Sequence, residues 1–472
     1  MKKEIKLGHA LFVVLFLLFT MVVSCVVFKA SPHIPLFFSC IVTCVSAKFH
    51  GYTWAETLES MVSGVGQAME AIIILMLVGI LMAVWIASGT VPAMMYYGLK
   101  LMNARYFFVI TFILCAAASM ALGSWGTAGT IGLAILGIGT ALGLPPAATA
   151  GAIVSGAYVG DKASPLTDCL NLTANVSKCD MHKILRRLLP VIWKVLLLTA
   201  VLFLLLGLHY NIRETPEMLE KRQNLLHALD GAFCIDLVQL LPLAIVIGCS
   251  ILGVPAIPAL TAGIAAGMLQ ACVFQHCTVI RLFEYSYSGF VGQTGFADID
   301  RILSNGGIGS MMYTVSLAMI ALAFGGVITK TKHMDALVTP ALLRIRTPFG
   351  MIVFTIILGI VINMILPDQY LCIALCGQLF ADKYSSKKVD AALFANAVSA
   401  AAITSALIPW NSCGVYMTSI LGVGPAEYLR FSWFNLLMPA GMILHSAFLT
   451  FFRRKKNAQK TRFKAPPPPE FP

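Results

Sequence analysis

Long apolar runs separated by short polar breaks set the pattern of this chain from end to end. Runs such as ALFVVLFLLFTMVVSCVVF and VIWKVLLLTAVLFLLLGL are each long enough, as a helix, to cross a hydrocarbon core of ~30 Å. A membrane barrel would instead show alternating strands of ~10 residues. Hydrophobic segments are read at 9–28, 32–49, 67–88, 105–122, 126–143, 146–160, 188–208, 232–253, 255–277, 309–329, 348–366, 368–381, 390–408 and 431–451. The pattern predicts an all-α polytopic membrane protein with about 12–14 hydrophobic segments. The segments ending near Gly160 and Ile408 run into polar, proline-containing breaks, and either span or re-enter. The first run lacks a small-residue cleavage pattern and is read as a retained helix.

The two halves of the pattern look alike. GVGQAM at Gly64 matches GIGSMM at Gly307, an offset of 243. VSGAYVGDKASPLTD matches VSAAAITSALIPWNS, with Pro165 opposite Pro409 at an offset of 244. HIPLFF resembles AIPALT with Pro35 opposite Pro258, an offset of 223, so the second half carries about 20 extra residues near 278–300. Seven segments precede the second copy. The copies therefore have opposite topology, and two inverted repeats with broken or re-entrant helices are expected, as in many secondary transporters. The expected divisions are a first transmembrane repeat with a connecting helix (1–208), an extracytoplasmic connector (209–231), a second transmembrane repeat (232–452) and a basic, Pro-rich cytoplasmic tail (453–472).

Composition agrees with a chain that lives in a lipid bilayer: 58% of residues are hydrophobic and 11% charged, against roughly 25% charged in soluble domains. The net charge of +12 does not point to nucleic acid, because the basic residues sit in short loops and the tail, as the positive-inside rule produces. Lys178, Lys183, Arg186, Arg187, Lys330, Lys332, Arg344, Arg346, Lys383, Lys387 and Lys388 all fall on the side of the N-terminal MKKEIK. Both termini are thereby placed in the cytoplasm. The 13 cysteines lie mostly inside apolar runs and read as small hydrophobes. Phosphate loops, zinc spacings and nucleophile elbows are absent, so neither an enzyme nor a cofactor is expected.

The chemistry concentrates where the apolar pattern is interrupted. GAYVGDKASPLTDCLNLT holds Asp161, Lys162, Ser164, Asp168 and Asn171 around Pro165. Backbone inside a membrane leaves the helix only where protein or a water-filled cavity covers it, and such breaks hold ions in transporters. GDKASP is therefore expected to unwind and to bind a cation through Asp161. Alternatively, Asp161 and Lys162 form a structural pair or lie at a solvated helix end. The partner break, TSALIPWNSCGVYM, supplies Thr404, Ser405, Asn411 and Ser412 but no charge. The two breaks are expected to meet near mid-depth, with Asp161 and Asn411 as candidate Na+ ligands. Trp410 there is either a site residue or an interface anchor. LGSWGTAGTIG brings Ser124 and Thr127 among glycines, read as a third site element or as close helix packing. Asp368, opposite Trp125 by the repeat, is a site carboxylate or a helix cap. Glu70 is as compatible with a snorkelling or capping carboxylate as with a site.

These strings resemble a known family. GDKASPLTDCLNLT, SWGTAGT, PDQYL and LIPWNSCGVYM are similar to the signature segments of the NhaC-type sodium/proton antiporters, within the ion-transporter superfamily, from about Gly64 to Gly424. The resemblance implies a multi-pass carrier of the bacterial cytoplasmic membrane that exchanges Na+ for H+. Some relatives instead exchange organic acids, such as malate for lactate, or move amino acids. That leaves a Na+- or H+-coupled carrier of a small organic acid or amino acid as the alternative, with Lys162 as counter-charge to a substrate carboxylate. The implied partners are the bilayer, Na+ and H+, with a homodimer as the candidate oligomer. Cys169 and Leu170 replace residues that are commonly hydroxylic in the family, and Val398 and Ser399 stand where members often carry an acidic pair. Asp161, Asp168 and Asp368 are left as the candidate proton carriers.

Overall fold

The computed structural model describes residues 4–67, 69–165, 167–210, 216–345, 347–366, 368–386 and 390–462. Lys387, Lys388, Arg346 and the Pro-rich end of the tail lie outside the described residues. Among the described residues there are helices and turns and no strand. The first half runs through α1 (Leu7–Val22), α2 (His33–Phe49), α3 (Trp54–Gln67), α4 (Met69–Ala87), α5 (Thr90–Leu101), α6 (Phe107–Thr127), α7 (Leu133–Ala141), α8 (Pro146–Ala163), α9 (Asp168–Ser177) and α10 (Met181–Tyr210). A helix over part of the expected connector, α11 (Pro216–Ala232), leads to α12 (Leu241–Ile251), α13 (Ala256–Phe274), α14 (Val279–Ser288) and α15 (Ala297–Leu303). There follow α16 (Gly307–Lys330), α17 (His333–Arg344), α18 (Pro348–Ile365), α19 (Gln369–Ser386), α20 (Ala391–Ala402), α21 (Ser412–Leu421), α22 (Pro425–Tyr428) and α23 (Trp433–Arg462).

Among the described residues eight stretches are long and apolar enough to cross a membrane singly. Two more qualify as bent pairs: Arg222–Ala232 with Leu237–Ile251, at 84°, and Ala391–Leu407 with Ser412–Leu421, at 45°. His33–Phe49 and Gln369–Phe380 are shorter apolar helices. The chain is thus a multi-pass membrane protein with broken spans. The helices differ in what surrounds them. Leu11, Phe12, Leu15 and Phe19 of α1 are exposed, as suits a lipid-facing surface. By contrast α8 is buried without interruption from Ala148 to Lys162. Prolines at its N-cap and first position start it, where a missing N–H costs nothing. Its small residues let it lie directly on α6: a Cβ added at Gly156 would come within 2.6 Å of the Phe112 carbonyl oxygen.

The relation between the halves is visible where α3 and α4 cross α16. A Cβ at Gly64 would collide with the Leu322 carbonyl and stand 3.0 Å from the Gly326 Cα, while one at Gly79 would stand 2.7 Å from the Gly307 carbonyl. The offset of 243 carries Gly64 to Gly307 and Gly79 to Leu322, so it turns one contact into the other. Low numbers on one helix meet high numbers on the other, and the two elements run antiparallel. A two-fold axis between oppositely oriented copies produces this exchange. Gly64→Val should force two backbones apart at a cost of about 1–3 kcal/mol, read as a lower midpoint of thermal unfolding in detergent. An unchanged midpoint would mean that the crossing tolerates a side chain.

Candidate functional site

Two broken helices and the ends of α8 and α19 converge on one buried region. The first break lies inside α6, at Gly123 (φ 68, ψ 179), a conformation open essentially to glycine alone. A π turn at Ala128–Gly132 follows. Breaking the helical ladder frees carbonyls that need other donors. The Ser164 hydroxyl donates to Met120 O (2.7 Å) and the Ser250 hydroxyl to Ala121 O (2.7 Å).

Asp161 and Lys162 do not lie in unwound chain. The helix α8 holds through Ala163, and the backbone turns extended at Ser164 (φ −100, ψ 130). The reason is that Pro165 disfavours the helical region only for the residue just before it. Gly160, the other expected weak point, keeps its helical backbone and donates its N–H to the Ser119 hydroxyl (2.8 Å). Asp161 therefore sits in the last turn of a rigid helix, 3% exposed. Its Oδ2 accepts from the Ser124 hydroxyl (3.0 Å) and from Gln369 Nε2 (3.4 Å). Lys162 is fully buried, and its Nζ has no hydrogen-bond partner among the described residues. It neighbours Asp161 in the chain and forms no ion pair with it among the described residues. A buried ammonium without a partner is costly and is kept at the centre of the molecule nonetheless.

The second break supplies neutral oxygens. A 3-10 turn at Ile403–Leu407 ends α20, and Asn411 caps α21 by accepting from the Cys413 N–H (3.1 Å). Ser405 donates to Gln369 Oε1 (2.8 Å). Gln369 thus bridges Asp161 in one half to Ser405 in the other, and Cys169 closes the same cluster against Gln369 Nε2 (2.6 Å). Asp368 is the helix cap that the sequence allowed. Its Oδ1 caps α19 by accepting from the N–H groups of Tyr370 and Leu371, and its Oδ2 accepts from the Ser412 hydroxyl (2.9 Å).

Other expected site residues are placed apart. Trp410 donates its indole N–H to Met364 O (2.8 Å), and Asn411 donates to Asn363 O (3.1 Å). Both side chains are buried and hold the break against the end of α18, with Trp410 in the core rather than at a membrane interface. The Asn411 side chain thus makes hydrogen bonds through both its amide and its carbonyl. Thr404 accepts from Asn363 Nδ2 (3.2 Å). Thr127 is fully buried and its hydroxyl has no partner among the described residues.

A cavity of about 80 Å3 lies against Asp161, Asp168, Cys169, Tyr370 and the broken stretch Met120–Gly126. A second, lined by Glu70, Asp168, Asn171, Asn175 and Tyr370, continues it. Ala71, Asp168 and Tyr370 form the wall common to both. Trp125 stacks on Tyr416 with ring centroids 5.2 Å apart, and the Tyr416 hydroxyl donates to Trp125 O (2.7 Å), tying the broken α6 to the second half. Sequence reasoning missed Gln369, Tyr370 and Tyr416. Gln369 had one readable signal: it follows Asp368 in an otherwise apolar run. Among the described residues no group of three or more His, Cys, Asp or Glu side chains could hold a metal ion. A hydroxyl, a carboxylate and main-chain oxygens around a small cavity instead suit a weakly held hard cation.

Comparison with known proteins agrees with this chemistry. The profile of the Na+/H+ antiporter family matches residues 193–448. The chain is 35% identical over 447 residues to the Na(+)/H(+) antiporter NhaC of Alkalihalophilus pseudofirmus, covering 94% of this chain and 96% of that one. It is 32% identical over 428 residues to the malate-2H(+)/Na(+)-lactate antiporter of Bacillus subtilis, covering 90% and 91%. It is 30% identical over 446 residues to the arginine/ornithine antiporter ArcD of Halobacterium salinarum, covering 94% and 92%.

Proposed function

The chain belongs to the Na+/H+ antiporter family, and from that premise we propose that it is a secondary carrier exchanging Na+ for H+ at the Asp161 carboxylate. The observation that carries the reading is a single carboxylate, 3% exposed, that joins the broken α6 through Ser124 to the second half through Gln369. Sodium is held by Asp161, the Ser124 hydroxyl and carbonyls at the Gly123 break. A proton on Asp161 removes the charge that holds the cation, so the two ions displace each other. Exposure of the site to one side and then the other, by movement of the broken helices, couples the two fluxes. Such movement is the usual working of inverted-repeat carriers.

The orientation follows from charge. Lys178, Lys183, Arg186 and Arg187 flank the mouth of the Glu70–Asn175 cavity in sequence, and the positive-inside rule puts that mouth in the cytoplasm of a bacterial cell. Asp168 and Glu70 then attract Na+ to the inner entrance.

One observation favours a second reading. The unpartnered Lys162 ammonium beside Asp161 suits the carboxylate of an organic solute, and two of the relatives are named for organic substrates. Proteoliposomes decide between them. An imposed Na+ gradient should move protons with no organic solute present. Proton movement that appears only when a carboxylate or amino acid is added would replace Na+/H+ exchange with solute exchange.

A further inference from the structure

A groove of about 330 Å3 runs along the outer surface between α10 and α23, away from the ion site. Val191, Val195 and Leu437 make its apolar floor, Leu198 and Leu444 line its rim, and it contains two nitrogen-bearing side chains, Lys194 and His445. Trp193, Leu197, Leu444 and Phe448 around it are exposed, so the groove opens to lipid. The helices meet closely at its base, where a Cβ on Gly441 would stand 2.8 Å from Val195 Cγ2. Among the described residues no Asp or Glu lines it.

Depth makes Lys194 unusual. It lies seven residues beyond Arg187, or ~10 Å further along the helix at 1.5 Å per residue. His445 lies eight residues before Arg453, ~12 Å by the same rise. Both are therefore set inward of the basic collar at that end of the protein. Arg187, whose charge also reaches His445, is already paired with Asp390 (2.9 Å). Lys194 makes no ion pair among the described residues. A cation at this depth calls for an anion or must snorkel. A snorkelling lysine would not require a donor opposite it, yet His445, a donor in either protonation state, faces the same groove.

We propose that this groove holds one phospholipid with a net-negative headgroup, its phosphate between Lys194 and His445 and one acyl chain along Val195 and Leu198. Basic pockets between transmembrane helices recognise anionic headgroups in this way. The chemistry is complementary at both ends: the Lys194 ammonium and the His445 N–H at the collar side and an apolar trough toward the membrane centre.

The test is native mass spectrometry of the whole protein in mild detergent, supplemented with phosphatidylglycerol or with phosphatidylcholine. The wild type should retain one phosphatidylglycerol and no phosphatidylcholine. Lys194→Gln should retain it about fivefold less or worse, Lys194→Arg should keep it, and Lys48→Gln, an exposed site elsewhere, should behave as wild type. Leu444→Trp, which fills the trough and leaves the charges alone, should also lose the lipid. Equal retention of both lipids, or undiminished phosphatidylglycerol on Lys194→Gln or Leu444→Trp, would overturn the proposal. None of these readings depends on which ions are exchanged.

Discussion

Asp161→Asn is expected to abolish Na+-driven proton movement while the protein still inserts and folds. The amide matches the carboxylate in size, and it can still accept from Ser124 and Gln369, so the buried cluster keeps its hydrogen bonds. What disappears is the titratable negative charge. A loss of about 100-fold or more in exchange rate, equivalent to ~2.7 kcal/mol at 1.36 kcal/mol per decade, is the size expected. Proteoliposome flux at saturating Na+, with thermal unfolding measured on the same preparation, separates the ionic role from a structural one. Wild-type exchange by the asparagine variant would return Asp161 to the scaffold. Gln369→Leu should behave differently: it leaves Asp161 charged but strips Ser405 of its buried partner, so stability should fall by about 1–3 kcal/mol while some exchange survives.

The second large effect is on pH. If Na+ and H+ share one carboxylate, apparent Na+ affinity weakens as pH falls through the pKa of that group in the folded protein. The sign follows from charge, since protonation removes the negative oxygen that binds the cation. Below that pKa the weakening is tenfold per pH unit, or ~1.4 kcal/mol. Calorimetric Na+ titrations from about pH 5.5 to 9 would trace it. A flat wild-type profile, accompanied by binding of a small carboxylate, would favour the organic-solute reading over ion exchange.

The charged position was legible in the sequence because an ionisable group in an apolar run is expensive enough to need a reason. Asp161 stood out on that ground before any contact was known. The paired breaks were legible for a similar reason: Pro165 and Pro409 recur at matching places, and prolines are costly inside helices. The path of the chain just before Pro165 was not. GDKASP reads as a weak hexapeptide, but the steric effect of a proline reaches back one residue only, and Gly160 is held helical by α6. Gln369 was readable as a polar residue after Asp368, but its role was not legible. Its importance lies in joining Asp161 to Ser405 across 36 and 208 positions of chain, a relation that no local pattern carries. Asn411 was marked as a ligand by its polarity in an apolar run, and its work as a cap and a brace was not legible there. The all-helical architecture, by contrast, follows from run length alone, because a backbone in lipid has almost no other way to satisfy its own hydrogen bonds.

Two carboxylates, Asp161 and Asp168, face the same cavity, and that arrangement bears on electrical work. Na+ and H+ carry equal charge, so trading one for one at Asp161 moves no net current, and the membrane voltage neither helps nor hinders it. If Asp168 also takes up and releases a proton in each turnover, two protons cross for each sodium. Each cycle then carries one elementary charge, worth ~2.3 kcal/mol per 100 mV. A second acidic wall would let a cell drive sodium out with its voltage even when no pH difference exists across the membrane.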